Sequence, residues 1–153
     1  MTIEENLNKL NIKLPDAPSP VGAYVAYKKI NNLLYISGQV SFKSNGELIK
    51  GKLGLNLTIE QGQIAAQSCA VNILSQVKAA CNGDLNEVKN CIKLTGFVNS
   101  IDSFIDQPKV INGASELIAN VFEERGKHAR AAISVNSLPL GAAVEVEAIF
   151  EVS

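Results

Sequence analysis

Two long stretches of the chain repeat hydrophobic residues with the period of an amphipathic α-helix. The first begins at Thr58 and Gln61, whose spacing is the capping-box signature of a helix N-terminus, and ends at the turn-forming pair Asn82-Gly83. The second runs from Val110 to Phe122 and is broken at Gly126. The apolar positions of the first stripe are Ile64, Ala65, Cys69, Ile73, Val77 and Ala80. The pattern therefore predicts two main helices.

A shorter helical pattern lies at the N-terminus. Thr2 and Glu5 repeat the capping-box spacing, and the apolar residues that follow must leave the helix before Pro15. Further prolines make the next segment extended. We therefore predict an N-terminal helix extension over residues 1–14 and one domain over residues 15–153.

The segment between the N-terminal helix and the first main helix contains turn residues typical of β-hairpins. Residues 21–30 and 33–42 are predicted to pair as antiparallel strands around Asn31-Asn32, because asparagine tolerates the backbone conformation of a tight turn. Asn45-Gly46 is a second turn signal and predicts a short edge strand over residues 47–50. A further strand is predicted between the two main helices, over residues 88–99.

Near the end of the chain, two stretches alternate between the two faces of a strand, at residues 129–135 and 144–149. A Pro-Gly turn lies between them. Successive strand side chains point to opposite faces, so Arg130 occupies one polar face while Glu145 and Glu147 occupy another. If the two strands pair across the turn, a guanidinium and two carboxylates lie on a rigid sheet. An arginine there can bind a small carboxylic acid, although the same pattern is typical of an amphipathic sheet with a solvated side.

The element order β-β-β-α-β-α-β-β predicts an α+β or α/β sandwich. One mixed sheet would carry both long helices on one face, and its other face would remain uncovered. Apolar groups on that face require a partner, so self-association is expected.

Composition excludes several classes of function. The net charge is −1 and there is no basic run, so the chain lacks the positive surface that binds nucleic-acid phosphates. Tryptophan is absent, so there are no base-stacking platforms of that kind. Three cysteines and one histidine do not have metal-ligand spacing. No apolar run reaches the ~20 residues that span a bilayer, and no targeting pattern begins the chain. We expect a cytoplasmic protein with no metal, nucleic-acid or membrane partner.

Four sequence patches occur in a recognisable order. They are Gly22-Ala23-Tyr24, Ser37-Gly38-Gln39, Ala129-Arg130, and Leu138-Pro139 followed by Val144-Glu145-Val146-Glu147-Ala148-Ile149. Together they resemble the reactive intermediate deaminase (Rid) family, also called YjgF or endoribonuclease L-PSP, over about residues 15 to 152. The resemblance implies a chorismate-mutase-like α+β fold. It also implies a homotrimer with ligand clefts between neighbouring subunits.

The resemblance also implies roles for individual residues. Arg130 would bind the carboxylate of a 2-imino or enamino acid, and Glu145 would position the water that hydrolyses the imine. Tyr24 would wall the substrate cleft, with Ser37 and Gly38 beside it. No cofactor is implied, and the partner is a small metabolite that carries a carboxylate.

This chain departs from the common family pattern at three positions. Ala23 replaces a proline, Ala132 replaces the usual cleft cysteine, and His128 stands where an aromatic-proline pair is usual. These features are typical of a longer, less characterised subgroup and imply a differently shaped cleft around Ala132. His128 lies on the face of Arg130 by strand parity, where it is either an acid-base or binding group or a structural residue.

Three functions remain to be weighed. The first is hydrolytic deamination of reactive 2-imino acids to 2-keto acids and ammonia, with Arg130 and Glu145 as the catalytic residues. The second is a trimeric protein that binds small carboxylic acids without converting them. The third, ribonuclease activity, is not favoured. A single histidine does not supply an acid-base pair, and a negative net charge does not supply a phosphate-binding surface.

Overall fold

The computed structural model describes residues 1–153, which form three α-helices and five β-strands. In chain order these are α1 (Ile3–Lys9), β1 (Tyr27–Ile30), β2 (Leu33–Val40), α2 (Ile59–Ala80), β3 (Val88–Asn99), α3 (Gln107–Phe122), β4 (Ala129–Val135) and β5 (Val144–Val152). Short 3-10 turns at Leu85–Glu87, Glu123–Gly126 and Pro139–Gly141 connect several of them. The predicted helices and the long strand over residues 88–99 are all present.

The five strands form one mixed sheet in the order β1-β2-β5-β3-β4. Only the β3–β4 pair is parallel, and the other three pairs are antiparallel. The parallel pair is connected through α3, as parallel strands need a crossover connection rather than a tight turn. The expected α+β class with a mixed sheet is confirmed.

The predicted pairing of the last two strands across their Pro-Gly turn is wrong. β3 lies between β4 and β5 and pairs with both, so β4 is an edge strand. β3 is 12 residues long and pairs along both of its edges. The turn itself exists, with Leu140 and Gly141 at positive φ, but it leads the chain past β3 rather than into a hairpin.

Two hairpin predictions also need correction. The predicted strand over residues 47–50 is reduced to isolated bridges, because Leu48 pairs with Phe42 while Lys50 pairs with Ala142 of a different segment. The first strand begins only at Tyr27, and Gly22, which was predicted to lie within it, has a positive φ of 136°. The Asn31-Asn32 turn is confirmed by the Ile30–Leu33 pairing and by the positive φ of Asn31.

Side-chain alternation along β5 separates the two faces of the sheet. Val144, Val146 and Ala148 are buried beneath α2 and α3, whereas Glu147 is exposed on the opposite face. That opposite face carries no helix. We call it the uncovered face, and its apolar side chains Ile30, Leu33, Tyr35 and Ile133 are between 36% and 60% exposed.

The N-terminal segment packs on the same core as the rest of the chain. The Thr2–Glu5 capping box forms as predicted, and Ile3 and Leu7 of α1 are buried. The Asn6 side-chain amide donates a 2.9 Å hydrogen bond to the Val121 carbonyl at the end of α3. The capping box at Thr58 also forms and starts α2.

All three cysteines are buried and unpaired. Burial raises the pKa of the Cys91 thiol to about 12 and that of the Cys69 thiol well above its ordinary value. These thiols therefore stay protonated at neutral pH and belong to the core. No helix of the structure is both long and apolar enough to span a membrane.

The two long helices approach each other through Gly113. A β-carbon at this position would lie 2.3 Å from the Gln63 carbonyl oxygen of α2. Gly113→Ala should therefore lower the free energy of unfolding by about 2 kcal/mol despite alanine's better helix propensity. Urea denaturation at fixed protein concentration measures this, with Glu116→Ala on the exposed side of α3 as control; equal midpoints for both variants would contradict the close contact.

Candidate functional site

Arg130 lies near the start of β4, on the face of the sheet that the helices cover. Its Nη1 donates hydrogen bonds to Asn112 Oδ1 at 2.8 Å and to Ser115 Oγ at 3.2 Å, both on α3. Its Nη2 donates a longer bond of 3.4 Å to the Pro108 carbonyl. α3 therefore holds one end of the guanidinium.

The other edge of this guanidinium is free. Arginine has five N–H donors, and the three bonds above leave the Nε–H and one Nη2–H of Arg130 without a protein acceptor. No carboxylate neutralises the group, because none of the four ion pairs includes Arg130. The arrangement leaves a charged, two-pronged donor for an external planar anion.

His128 shares this site, as strand parity predicts. Its Nδ1 lies 2.7 Å from the Gly126 carbonyl, which can only accept, so Nδ1 carries the proton. The other ring nitrogen, Nε2, lies 2.9 Å from Ser115 Oγ, and in the neutral form of the ring it is the acceptor of that bond. We call Asn112, Ser115, His128 and Arg130 the arginine half-site.

A glycine in β3 brings α3 close enough to form this half-site. A β-carbon at Gly96 would lie 2.5 Å from Ile111 Cδ1, so only glycine allows this approach of helix and strand. Ala132, next to Arg130 on the same face, pairs with Gly96 and packs against the core.

Glu145 lies on the uncovered face, in β5. Its carboxylate packs directly over Gly38, where a β-carbon would lie only 2.2 Å from Glu145 Oε1. Gly38 falls within an irregularity of the β2–β5 pairing between Ile36 and Gln39. The glycine therefore makes room for the half-buried carboxylate.

The Glu145 carboxylate has no cationic partner. Burial raises its pKa above the ordinary value, and the negative charge of nearby Glu147 raises it further. A carboxylate in this state is a stronger base than an exposed one. It is also a site at which a bound positive charge would be stabilised.

Tyr24 and Ser37 lie in the same region as Gly38. Tyr24 is 49% exposed and its hydroxyl accepts a 3.2 Å bond from the Val21 amide. The Ser37 hydroxyl donates a 2.7 Å bond to the Val25 carbonyl, so its proton is already engaged. Tyr24 and Gly38 line a small cleft of about 70 Å³. Glu145 adjoins this cleft only through Gly38. We call Tyr24, Ser37, Gly38 and Glu145 the glutamate half-site.

The two half-sites do not meet within one chain. Arg130 is level with Leu94 of β3 and, through it, with Ala148 of β5, which lies about 10 Å away across the sheet. Glu145 lies three residues before Ala148, and this odd spacing puts it on the opposite face. The expectation that Arg130 and Glu145 come from adjoining strands is therefore wrong for a single chain.

Sequence reasoning missed Asn112 and Ser115, which contact Arg130 directly. The signal was present: these two polar residues are three apart on α3, so they share one face of the helix. Without the strand order, however, nothing in the sequence assigns that face to β4.

The sequence matches the family described as "YjgF/chorismate mutase-like, putative endoribonuclease" over residues 4–152. It is 48% identical to the protein TCP17 of Trypanosoma cruzi over 99% of this chain and 94% of that protein. It is 29% identical to the 2-iminobutanoate/2-iminopropanoate deaminase of Mus musculus, covering 90% of this chain and 87% of the mouse protein.

A solved structure extends the comparison to the fold. The crystal structure of a protein of unknown function from Agrobacterium tumefaciens superposes with a TM-score of 0.91 at 47% identity, covering 99% of this chain and 94% of that one. The family match spans nearly the whole chain, and the mixed sheet with helices on one face agrees with a chorismate-mutase-like fold. The chain therefore belongs to the YjgF, or reactive intermediate deaminase, family.

Proposed function

We propose that this protein hydrolyses reactive 2-imino and enamino acids to 2-keto acids and ammonia, in a homotrimer whose clefts join the arginine half-site of one protomer to the glutamate half-site of its neighbour. The observation that carries the proposal is the free, unpaired edge of Arg130. The mouse relative named as an imine deaminase supports the reaction class.

The charges of the two half-sites match those of the proposed substrate. A protonated 2-imino acid has a carboxylate next to an iminium carbon. The Nε and Nη2 edge of Arg130 can donate two hydrogen bonds to the substrate carboxylate. The unpaired Glu145 carboxylate can stabilise the positive iminium group and orient the water that attacks it. Since the two groups lie on opposite faces of one sheet, their meeting requires a second copy of the chain.

The surface of the protomer supports this assembly. The exposed apolar side chains Ile30, Leu33, Tyr35 and Ile133 lie on the uncovered face, which is unusual for a protein that stays monomeric. One side of the edge strand β4 is also unpaired, and open strand edges are normally covered in native assemblies. Covering this face would bring the Glu145 side of one protomer against another chain.

The reaction needs only groups that the two half-sites supply. Glu145 takes a proton from water as the water oxygen bonds to the iminium carbon, giving a carbinolamine. Glu145 then returns its proton to the carbinolamine nitrogen. As the C–N bond breaks and ammonia leaves, the hydroxyl gives its proton to the Glu145 carboxylate and becomes the keto oxygen; that proton is finally taken up as ammonium. Arg130 holds the carboxylate throughout and fixes the imine carbon near Glu145.

The test combines assembly and turnover. Light scattering after gel filtration gives the oligomeric state, and ammonia release is followed after an imino acid is generated in the assay. A trimer that accelerates ammonia release above the spontaneous rate is expected. A monomer, or a trimer without acceleration, would contradict the proposal; a 2-keto acid that raises the melting temperature of an inactive trimer would indicate binding without conversion.

A mixing experiment tests whether the site joins two protomers. Arg130→Ala and Glu145→Gln chains, each inactive alone, are unfolded, mixed in equal amounts and refolded together. If each site takes Arg130 from one chain and Glu145 from the next, about a quarter of the sites are intact, and about a quarter of the native activity returns. A site built within one chain would give no recovery.

A further inference from the structure

The hydrogen bonds around Arg130 form a chain that ends at a backbone carbonyl. Gly126 accepts from His128 Nδ1 at 2.7 Å, and in the neutral form of the ring His128 Nε2 then accepts from the Ser115 hydroxyl at 2.9 Å. The direction of each bond follows from this fixed carbonyl, because a neutral imidazole has one donor and one acceptor. The rotation of the Ser115 hydroxyl is therefore fixed as well.

A hydroxyl that donates to His128 presents its lone pairs elsewhere. Ser115 Oγ uses one of them to accept from Arg130 Nη1 at 3.2 Å, while Asn112 Oδ1 accepts the other Nη1 hydrogen at 2.8 Å. Both hydrogens of Nη1 are thus engaged by α3. An incoming carboxylate cannot use Nη1 without breaking one of these bonds.

We propose that Ser115 and His128 are positioning residues that orient Arg130 so that only its Nε and Nη2 edge receives the substrate carboxylate. The inference rests on the proposed function, since it assumes that Arg130 binds a carboxylate. Neither residue touches the substrate in this arrangement. They act by fixing the plane and the free edge of the guanidinium, which sets the direction in which the imine carbon extends toward Glu145.

The contacts of His128 suit a positioning residue and not a group that reacts with the substrate. His128 and Ser115 are both partly buried between β4 and α3, and no carboxylate bonds to either ring nitrogen of His128. An acid-base role would need the substrate to reach Nε2, but Ser115 already occupies it. The structure thus favours a positioning role over the acid-base role that parity alone left open.

The first arm of the test uses the fact that His128 is the only histidine of the chain. Nitrogen-15 NMR of the ring should show a neutral imidazole with its proton on Nδ1. Ser115→Ala should shift the Nε2 resonance, because that nitrogen loses its donor. A ring protonated on Nε2 in the native protein would overturn the inference, since Ser115 would then be an acceptor from His128.

The second arm measures carboxylate binding with 2-oxobutanoate as the probe, by calorimetry on the assembled protein. Ser115→Ala should weaken binding about 5- to 10-fold, and Ser115→Thr, which keeps the hydroxyl, should stay within about twofold. Ser68→Ala, which removes an exposed helix hydroxyl bonded only to the Ile64 carbonyl, is the matched control and should leave binding unchanged.

The outcomes distinguish a failure of the positioning role from a failure of the proposed function. Unchanged binding in Ser115→Ala, together with lost binding in Arg130→Ala, would overturn the positioning role and leave the proposed function intact. Unchanged binding in Arg130→Ala, or no binding by the native protein, would contradict the proposed function itself. If Ser115→Ala does not fold, failure of Ser115→Thr to keep native binding and the native Nε2 resonance would contradict the inference.

Discussion

Replacement of Arg130 by alanine should lower kcat/KM for imine hydrolysis by about a hundredfold or more. The two free N–H groups of the native side chain can each form a charge-assisted hydrogen bond to the substrate carboxylate, and each such bond contributes about 1.5 to 3 kcal/mol. At 1.36 kcal/mol per factor of ten, even the lower value for both bonds gives this loss. Steady-state ammonia release measures it.

Arg125→Ala is the matched control, since Arg125 is the other arginine of the chain and its Nη1 bonds only to the Val88 carbonyl. It should leave kcat/KM nearly unchanged. Arg130→Lys should recover little of the activity, because a point charge cannot reproduce a planar two-donor edge. Turnover in Arg130→Ala close to that of Arg125→Ala would remove Arg130 from the site.

Local features of the fold could be predicted from the sequence because they depend on neighbours in the chain. The capping boxes at Thr2 and Thr58 start α1 and α2 where expected, since their hydrogen bonds span only three residues. The alternation along β5 correctly separated Glu145 from Val144 and Val146 for the same reason. The uncovered face could be predicted because the sequence indicates only two long helices, which were expected on one face of a single sheet.

The arrangement of the strands could not be predicted in the same way. Whether β4 pairs with β3 or with β5 is decided by the packing of α3, and an alternating strand is compatible with either partner. The small residues Gly96 and Ala132 determine how closely α3 approaches β4, but their effect depends on contacts far apart in the sequence. Asn112 and Ser115 became visible as partners of Arg130 only through this packing.

The strand order also changes the meaning of the site. A hairpin of β4 and β5 would have allowed Arg130 to approach Glu145 in one chain and neutralise it. With β3 inserted, each charge lacks a partner in its own chain, and each is prepared for an external group of opposite sign. The two unpaired charges thus have a single structural cause, the position of β3 between β4 and β5.

Glu145→Gln should separate activity from stability. The amide cannot accept a proton from water, so kcat should fall by about 10²- to 10⁴-fold with a smaller change in KM. Glu147→Gln, on the same face but exposed, is the matched control and should remain active. Comparable losses in the two variants would indicate a shared electrostatic effect instead of a specific base.

The same Glu145→Gln variant should be more stable than the native protein at neutral pH. Burial raises the pKa of Glu145 in the folded state, so the folded protein binds this proton more tightly than the unfolded chain, and stability falls as pH rises from about 4.5 through the raised value. Glutamine removes that loss. The melting temperature of the variant should exceed that of the native protein at pH 7, and the two should converge at about pH 4. A native protein more stable than the variant at pH 7 would show instead that a cation within the assembly neutralises Glu145, and the carboxylate would then not be free to act as the base.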